Sequence, residues 1–483
     1  MRRLTPLVHP GAAVPAVLAA FAAFALGLLC SAGTAGAQTT AAPPAAASSA
    51  VPAAEIAQRA GEYLDAQARV NGFSGAVLVA REGVPVVSRA WGWANAEWEI
   101  ANTPETKFRL GSITKQFTAA VVLRLEQRQA LKLDDPICTY LDPCPAAWQP
   151  ITVRHLLTHT SGIPSYTGLP DYRATMMMPR TVEQMVGVFR DLPLEFQPGE
   201  QFKYNNSGYF LLGVIIETVS GKTYERALGD EIFGPLGMHD SGYDWSEPLL
   251  PRRAAGYARR DERLVNAGHL DMQQPYAAGS LYSTVGDLLT WDQALYTDRV
   301  LPAAAREAMF TPFKDNYALG WTVTPPERAP SGRRQVGHGG GINGFSTMFL
   351  RVPEDRVAVI VLGNVENVNA GNIARDLMAI AYGKPYQMPV VRTSITVKPE
   401  VLKTYVGRYQ VTPEMVLEVT LDGHRLMTQA TGQRKLEVFA ESETKFFLRA
   451  FDAQLTFGTD AAGSATHVTL HQNGQDRRAP RIE

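Results

Sequence analysis

Two short stretches contain residue types that could carry out nucleophilic chemistry on a carbonyl group. Ser112 and Lys115 open an apolar helical run, where a three-residue spacing puts both side chains on one face. The hydroxyl then lies at the positive end of the helix dipole, and a buried lysine with a lowered pKa can remove its proton. Ser442 and Lys445 share this spacing, but they lie among alternating β residues, so we interpret that second occurrence as chance.

A phenol and a carboxamide come before a second apolar helical run, at residues 209–219. Tyr204 and Asn206 are two residues apart at this helix start, so both side chains can face a cleft. A tyrosine between cations can act as a base or relay, and a carboxamide can hydrogen-bond a substrate. Each motif also has a plain structural interpretation, in which Ser112 or an asparagine caps a helix and Tyr204 packs in a loop.

Four residues before a late strand form the third motif. His338 is followed by Gly339, Gly340 and Gly341, whose backbone a ligand can approach closely and whose N–H groups can form half of an oxyanion hole. A His-Gly-Gly-Gly loop also occurs in α/β-hydrolases, but that fold needs Gly-x-Ser-x-Gly, which this chain lacks.

The elements around these motifs predict an α+β fold. Helical and strand periodicities alternate in an order that puts strands on both sides of a long helical middle. One sheet is therefore expected to assemble from both ends of a two-lobed domain of about 330 residues. The expected elements are a helix at 54–70, a hairpin at 75–91, helices at 113–129, 153–158, 181–190 and 209–219, strands at 345–352 and 357–362, and a helix at 371–382.

The 483 residues are expected to form several regions. Arg2 and Arg3 precede an Ala- and Leu-rich run, and the small residues around Ala37 predict a signal peptide cleaved after that residue. Residues 1–37 form this signal, 38–53 an Ala/Pro/Ser linker, 54–384 the two-lobed domain, 385–399 a Pro-rich linker, and 400–483 a small β-sheet or barrel domain.

Export to the periplasm or the medium follows from that signal. After cleavage no stable membrane span is expected, although a retained anchor or a lipid on Cys30 are alternatives. In an oxidising compartment Cys138 and Cys144 could form a local disulfide. His155 and His159 could share one helix face around zinc, but the zincin glutamate and a third ligand are missing, so structural roles are favoured and no metal or cofactor is expected.

The balance of charged residues indicates which kinds of binding partner to expect. Lys plus Arg number 46 against 47 Asp plus Glu, so no basic surface is available to gather nucleic acid. We expect a small-molecule or peptide substrate, for example one derived from the cell wall. The sequence does not predict an oligomeric state.

The three motifs, in this order, resemble the serine β-lactamase and penicillin-binding protein superfamily. The likeness is to the class C-like branch, which includes D-alanyl-D-alanine carboxypeptidases, D-aminopeptidases and esterases, and it runs from about residue 56 to 382. The supporting stretches are 108–115, 155–163, 235–238 and 278–287. The resemblance implies a β-lactamase/transpeptidase-like fold with an antiparallel sheet, flanking helices and an active site between sheet and helical lobe.

The resemblance also implies residue roles. Ser112 would be the acylated nucleophile, Lys115 and Tyr204 would share general base work, and Asn206 would contact the acyl amide. His338, with Gly339 and Gly340, would lie on the strand beside the substrate, and the oxyanion would bind the N–H groups of Ser112 and Gly341. Many β-lactamases have Lys-Thr-Gly where this chain has His338, Gly339 and Gly340, so a permanent cation is replaced by a mostly neutral histidine.

The expected function is that of an exported serine hydrolase working through an acyl-enzyme. D-Amino acid peptidase or esterase activity is favoured, with β-lactam hydrolysis as a side reaction. The alternative is a non-catalytic penicillin-binding or cell-wall-binding protein or sensor that uses the same cleft without turnover.

Overall fold

The computed structural model describes residues 51–260, 263–433, 435–449, 453–472 and 475–482. The expected signal peptide and nearly all of the first linker lie outside these ranges. Within the described ranges, every helix is too short or too polar to span a lipid bilayer.

The strands are numbered in chain order. They are β1 Gly75–Arg81, β2 Val84–Trp91, β3 Trp93–Asn95, β4 Ile100–Ala101, β5 Phe108–Arg109, β6 Gly242–Tyr243, β7 Tyr257–Arg260, β8 Arg263–Asn266, β9 Leu281–Ser283, β10 Thr322–Thr324, β11 Gln335–Ile342, β12 Phe345–Val352, β13 Val357–Gly363, β14 Gly407–Thr412, β15 Met415–Asp422, β16 Arg425–Ala430, β17 Leu436–Ala440, β18 Lys445–Phe447, β19 Ala453–Thr459, β20 Ala465–Gln472 and β21 Gln475–Pro480.

The α-helices are α1 Ala53–Asn71, α2 Thr114–Gln127, α3 Val153–Leu157, α4 Tyr172–Thr175, α5 Val182–Gly187, α6 Asn206–Ser220, α7 Tyr224–Leu228, α8 Gly234–Leu236, α9 Val285–Ala294, α10 Ala303–Phe310, α11 Ala370–Ala381 and α12 Pro399–Thr404. Short 3₁₀ turns occupy Gly111–Ile113, Ile137–Thr139, Ala146–Trp148, Tyr166–Gly168, Tyr276–Ala278 and Pro326–Arg328, and a π turn occupies Gly229–Phe233.

The main sheet is assembled from both ends of the first domain, as expected. Its six antiparallel strands follow the order β10-β11-β12-β13-β1-β2, and β13 pairs with β1 so that Gly363 lies opposite Gly75. Because β1 is buried on both faces, its residues read as one apolar run. Ala76 and Leu78 pack into the core shared with the helical middle, whereas Val77 and Val79 pack into the core shared with α1 and α11.

The helical lobe is organised around α2 and α6. The Asn205 side chain caps α6 by accepting from the Gly208 N–H at 3.0 Å, and Gly221 ends the helix with φ +66°. The Thr118 hydroxyl of α2 donates to the Ala277 carbonyl at 2.7 Å. These bonds hold the starts of both helices, where the candidate residues lie, against one buried core.

The helix expected at 181–190 is shorter than predicted. It covers only Val182–Gly187, where Thr181 and Gln184 form a capping box. The following residues reach Leu192 through successive turn hydrogen bonds rather than a continued helix.

After α12, the C-terminal region is all β. Its eight strands form one antiparallel meander from β14 to β21, and the pairing of Tyr409 with Arg481 brings the last strand back to the first. Tyr405, Phe446 and Phe457 fill its interior with stacked and edge-on rings. The small β-sheet or barrel expected from the sequence is present, and its last strand, β21, is polar and mostly exposed.

Candidate active site

Ser112 and Lys115 occupy the turn that leads into α2. Gly111 has φ +55°, a left-handed conformation that turns the chain sharply and begins the 3₁₀ turn carrying Ser112. Lys115 lies one turn further on, and its Nζ hydrogen-bonds the Ser112 Oγ at 3.0 Å. The amine and the hydroxyl are therefore in proton-transfer range.

The amine of Lys115 is fully buried. It donates to Asn206 Oδ1 at 2.9 Å and to the Ala278 carbonyl at 2.8 Å, and it lies 4.8 Å from the ring centroid of Tyr204. Burial lowers the pKa of Lys115 well below its ordinary value, because the charged form is desolvated. An amine with this lowered pKa is suited to act as a base.

The phenol of Tyr204 belongs to the same cluster. The residue as a whole is 38% exposed. Desolvation raises the pKa of Tyr204, and a hydrogen bond with Ser112 lowers that pKa by less. Tyr204 therefore remains a neutral phenol near pH 7, which can pass a proton but does not hold a negative charge.

Asn206 is oriented from two sides. Its Oδ1 accepts from Lys115, and its Nδ2 donates to the Thr167 hydroxyl at 2.9 Å. The backbone N–H of Asn206 donates to Ser165 Oγ at 3.1 Å. Sequence reasoning missed Thr167 and Ser165, because a hydroxyl in an irregular loop carries no motif of its own.

His338 lies on β11 with its side chain almost fully buried. Its Nδ1 lies 2.6 Å from the Gly339 carbonyl, which can only accept, so Nδ1 carries the hydrogen and Nε2 accepts from the Tyr317 hydroxyl at 2.9 Å. Desolvation first, and the nearby charge of Lys115 second, lower the pKa of His338 to about 3. The ring is a neutral group whose centroid lies 6.0 Å from that of the Tyr204 ring. No motif in the sequence pointed to Tyr317.

The glycines after His338 bring β11 against the Ser112 turn. A Cβ on Gly340 would lie 1.9 Å from the Leu110 carbonyl oxygen, and one on Gly111 would lie 3.0 Å from the Gly341 nitrogen. The Thr347 hydroxyl donates to the same Leu110 carbonyl at 2.8 Å. The backbones of Ser112 and Gly341, the two expected oxyanion donors, are therefore on neighbouring segments.

The remaining candidates lie elsewhere or have other partners. Cys138 and Cys144 form a disulfide. The hydroxyl of Ser442 accepts from the Lys445 N–H at 3.0 Å in a turn between β17 and β18, which matches the interpretation of that pair as chance. Across the described ranges, no group of three or more His, Cys, Asp or Glu side chains is arranged to hold a metal ion.

Comparisons with known proteins identify related sequences and structures. A family model described as Beta-lactamase matches residues 58–382, and a second, described as a domain of unknown function (DUF3471), matches residues 391–479. Penicillin-binding protein 4* of Bacillus subtilis is 31% identical over 85% of this chain and 95% of its own length.

Two further relatives have names that specify D stereochemistry. The D-aminopeptidase of Gluconobacter oxydans is 28% identical over 66% of this chain and 61% of its own length. The structure of a D-stereospecific amidohydrolase from Streptomyces sp. is 28% identical, with a TM-score of 0.56, and covers 67% of this chain and 97% of that one.

Proposed function

Since the chain belongs to the beta-lactamase family and is a serine hydrolase, we propose that Ser112 is its nucleophile and that it cleaves amides or esters of D-amino acids. The observation that carries the proposal is the 3.0 Å hydrogen bond between Lys115 Nζ and Ser112 Oγ. A buried amine at that distance can take the hydroxyl proton as the nucleophile attacks.

The proposed reaction has two steps. In the first, Ser112 Oγ bonds to the substrate carbonyl carbon while its proton moves to Lys115, and the N–H groups of Ser112 and Gly341 stabilise the oxyanion. The proton then returns through Tyr204 to the leaving amine or alcohol as its bond to carbon breaks. In the second step, water attacks the acyl-enzyme carbonyl and gives a proton to the Lys115 amine. Lys115 then returns that proton to Ser112 Oγ as the acyl product leaves. One oxyanion donor contributes about 10²–10³-fold to the rate.

Two features support the substrate class. The names of the D-aminopeptidase and the D-stereospecific amidohydrolase specify D-configured substrates. In addition, both nitrogens of the neutral His338 ring are occupied by protein groups, so this position supplies no cation for a substrate carboxylate. Amides and esters are therefore favoured over β-lactams, which we expect only as side substrates.

We also propose that the enzyme is exported. The N-terminal sequence supports a signal peptide over residues 1–37, and a local disulfide between Cys138 and Cys144 suits an oxidising compartment. The proposed regions are the catalytic domain at 54–384, the linkers at 38–53 and 385–399, and the β domain at 400–483. A cell-wall-derived D-amino acid compound would be available to an enzyme in the periplasm or the medium.

A substrate panel tests the proposal. The mature chain should turn over D-amino acid amides or short D-aminoacyl esters faster than acyl-D-Ala-D-Ala peptides or nitrocefin, and Ser112→Ala should abolish that activity. Stoichiometric acylation without turnover would contradict the hydrolase and support the binding role instead. L-Amino acid amides cleaved as well as their D forms would contradict the proposed stereochemistry.

A further inference from the structure

His159, which follows α3, has a backbone conformation that few residues adopt. Its φ is +58°, in the left-handed region where a residue with a side chain is strained. Its ring is 1% exposed and lies among the aromatic side chains that surround Lys115. A strained and buried polar residue beside a reactive amine calls for a physical reason.

His159 forms hydrogen bonds with the residues immediately before and after Tyr204 in the sequence. Its carbonyl oxygen accepts from the Lys203 N–H at 2.9 Å, and its Nδ1 accepts from the Asn205 N–H at 3.1 Å. Between these two bonds, its ring centroid lies 4.3 Å from that of Tyr204. One residue therefore fixes the backbone on both sides of the phenol and one face of the phenol itself.

The hydrogen bonding also defines the tautomer of this ring. Because Nδ1 accepts from a backbone N–H, the neutral ring carries its hydrogen on Nε2. That Nε2 has no hydrogen-bond partner among the described residues, and an unpaired buried donor costs about 1–3 kcal/mol. Packing alone would be better served by a phenylalanine, which fills a similar volume without an unpaired donor.

We infer that His159 is a positioning residue, which sets Tyr204 and Asn206 over Ser112 through its bonds to Lys203 and Asn205. This inference rests on the proposed function of the site. His159 does not touch the substrate or the reacting atoms. It acts by holding the segment 203–206 at the start of α6, where a displacement of 1 Å can cost about 10²-fold in rate.

Two substitutions separate positioning from simple packing. In His159→Asn, Oδ1 takes the place of Nδ1 as acceptor, and asparagine tolerates the left-handed conformation. His159→Phe keeps a ring but loses the acceptor. We expect kcat for a p-nitrophenyl ester to fall about 10²-fold in the Phe variant with KM nearly unchanged, whereas the Asn variant stays within about fivefold of wild type.

His155 provides a matched control four residues earlier. Its Nδ1 also accepts a backbone N–H, that of Thr152 at 3.2 Å, but this bond caps the start of α3 and involves no residue of the segment 203–206. His155→Phe should therefore lower the melting temperature and leave kcat within about twofold. Equal loss of kcat in folded His159→Asn and His159→Phe, or full kcat in folded His159→Phe, would overturn the inference.

A measurement on the wild-type protein does not depend on the folding of any variant. Nitrogen-15 NMR of histidine-labelled protein should show His159 with its hydrogen on Nε2 and with Nδ1 as an acceptor. A hydrogen on Nδ1 would overturn the positioning role. If wild type and Ser112→Ala are equally inactive on every substrate, the proposed function fails, and the tautomer still decides whether His159 holds the segment.

Discussion

A Cβ on Gly340 would lie 1.9 Å from the carbonyl oxygen of Leu110, the residue that precedes the serine turn. The next glycine differs, because a Cβ on Gly341 meets no heavy atom of the described residues within 4 Å. Two adjacent glycines therefore serve different purposes. Gly340 lets the strand approach the helix start, and Gly341 has open space around its Cβ position.

Alanine at these two positions should separate stability from activity. Gly340→Ala forces β11 away from the turn and should lower the free energy of unfolding by about 1–3 kcal/mol. Gly341→Ala should unfold like wild type but lose about tenfold or more in kcat/KM, because a methyl group on the expected oxyanion donor would displace the substrate carbonyl. Denaturant titration measures the change in stability, and ester hydrolysis measures the change in kcat/KM.

Gly187→Ala, with open space around its Cβ in α5, is the matched control. It should leave activity unchanged and raise the free energy of unfolding by no more than about 1 kcal/mol. Normal activity in Gly341→Ala would remove this glycine from the substrate site.

Removing the Thr167 hydroxyl should loosen Asn206. Thr167→Val deletes the 2.9 Å bond from Asn206 Nδ2 and should cost about 0.5–1.5 kcal/mol of transition-state stabilisation, or about 2–10-fold in kcat/KM. Thr167→Ser should restore most of the rate. Thr218→Val, which removes an exposed helix hydroxyl, is the control. The idea fails if Thr167→Val and Thr218→Val have the same kcat/KM.

The rate should follow the ionisation of Lys115. Because the neutral amine is the base, kcat/KM should rise as pH passes upward through the lowered pKa of Lys115 and then stay level. The raised pKa of Tyr204 should keep that plateau flat up to about pH 10. Ester hydrolysis across this range, corrected for spontaneous cleavage, measures the profile.

An acid limb centred near the ordinary lysine pKa of about 10.4 would contradict the lysine base. Lys115→Arg should be inactive at every pH, because its guanidinium is not deprotonated in proteins.

Lys115 should also make the free energy of unfolding depend on pH. Between its lowered folded pKa and about 10.4, the unfolded chain binds a proton on Lys115 that the folded chain does not. The free energy of unfolding of wild type should therefore rise with pH in this window, relative to Lys115→Met, by about 1.4 kcal/mol per pH unit. Parallel urea titrations of both proteins measure the difference, and equal slopes would show that Lys115 stays charged.

Residue spacing predicted much of the fold and part of the site. The three-residue spacing of Ser112 and Lys115 fixed their common helix face, and the order of strands and helices gave the sheet built from both chain ends. The placement of Tyr204 beside Lys115 was also an expectation, drawn from the family resemblance, and the structure brings the two together.

Other features could not be predicted from the sequence, for physical reasons. Gly339, Gly340 and Gly341 have no side chains and so no apolar/polar alternation. The sequence pattern therefore did not predict that β11 runs through this motif. Thr167 and Tyr317 reach the site from loops, where partners depend on tertiary packing rather than periodicity. The bond from the Asn205 N–H to His159 joins residues 46 positions apart, and only the folded chain shows it.

The most direct test is the site of acylation, with the chain's own second Ser-x-x-Lys pair as the control. Mature wild type, Ser112→Ala and Ser442→Ala are each mixed with a p-nitrophenyl ester, quenched early and measured by intact mass and peptide mapping. We predict one acyl adduct on Ser112 in wild type and in Ser442→Ala, and none in Ser112→Ala. An adduct or an ester turnover that survives Ser112→Ala unchanged would contradict the account.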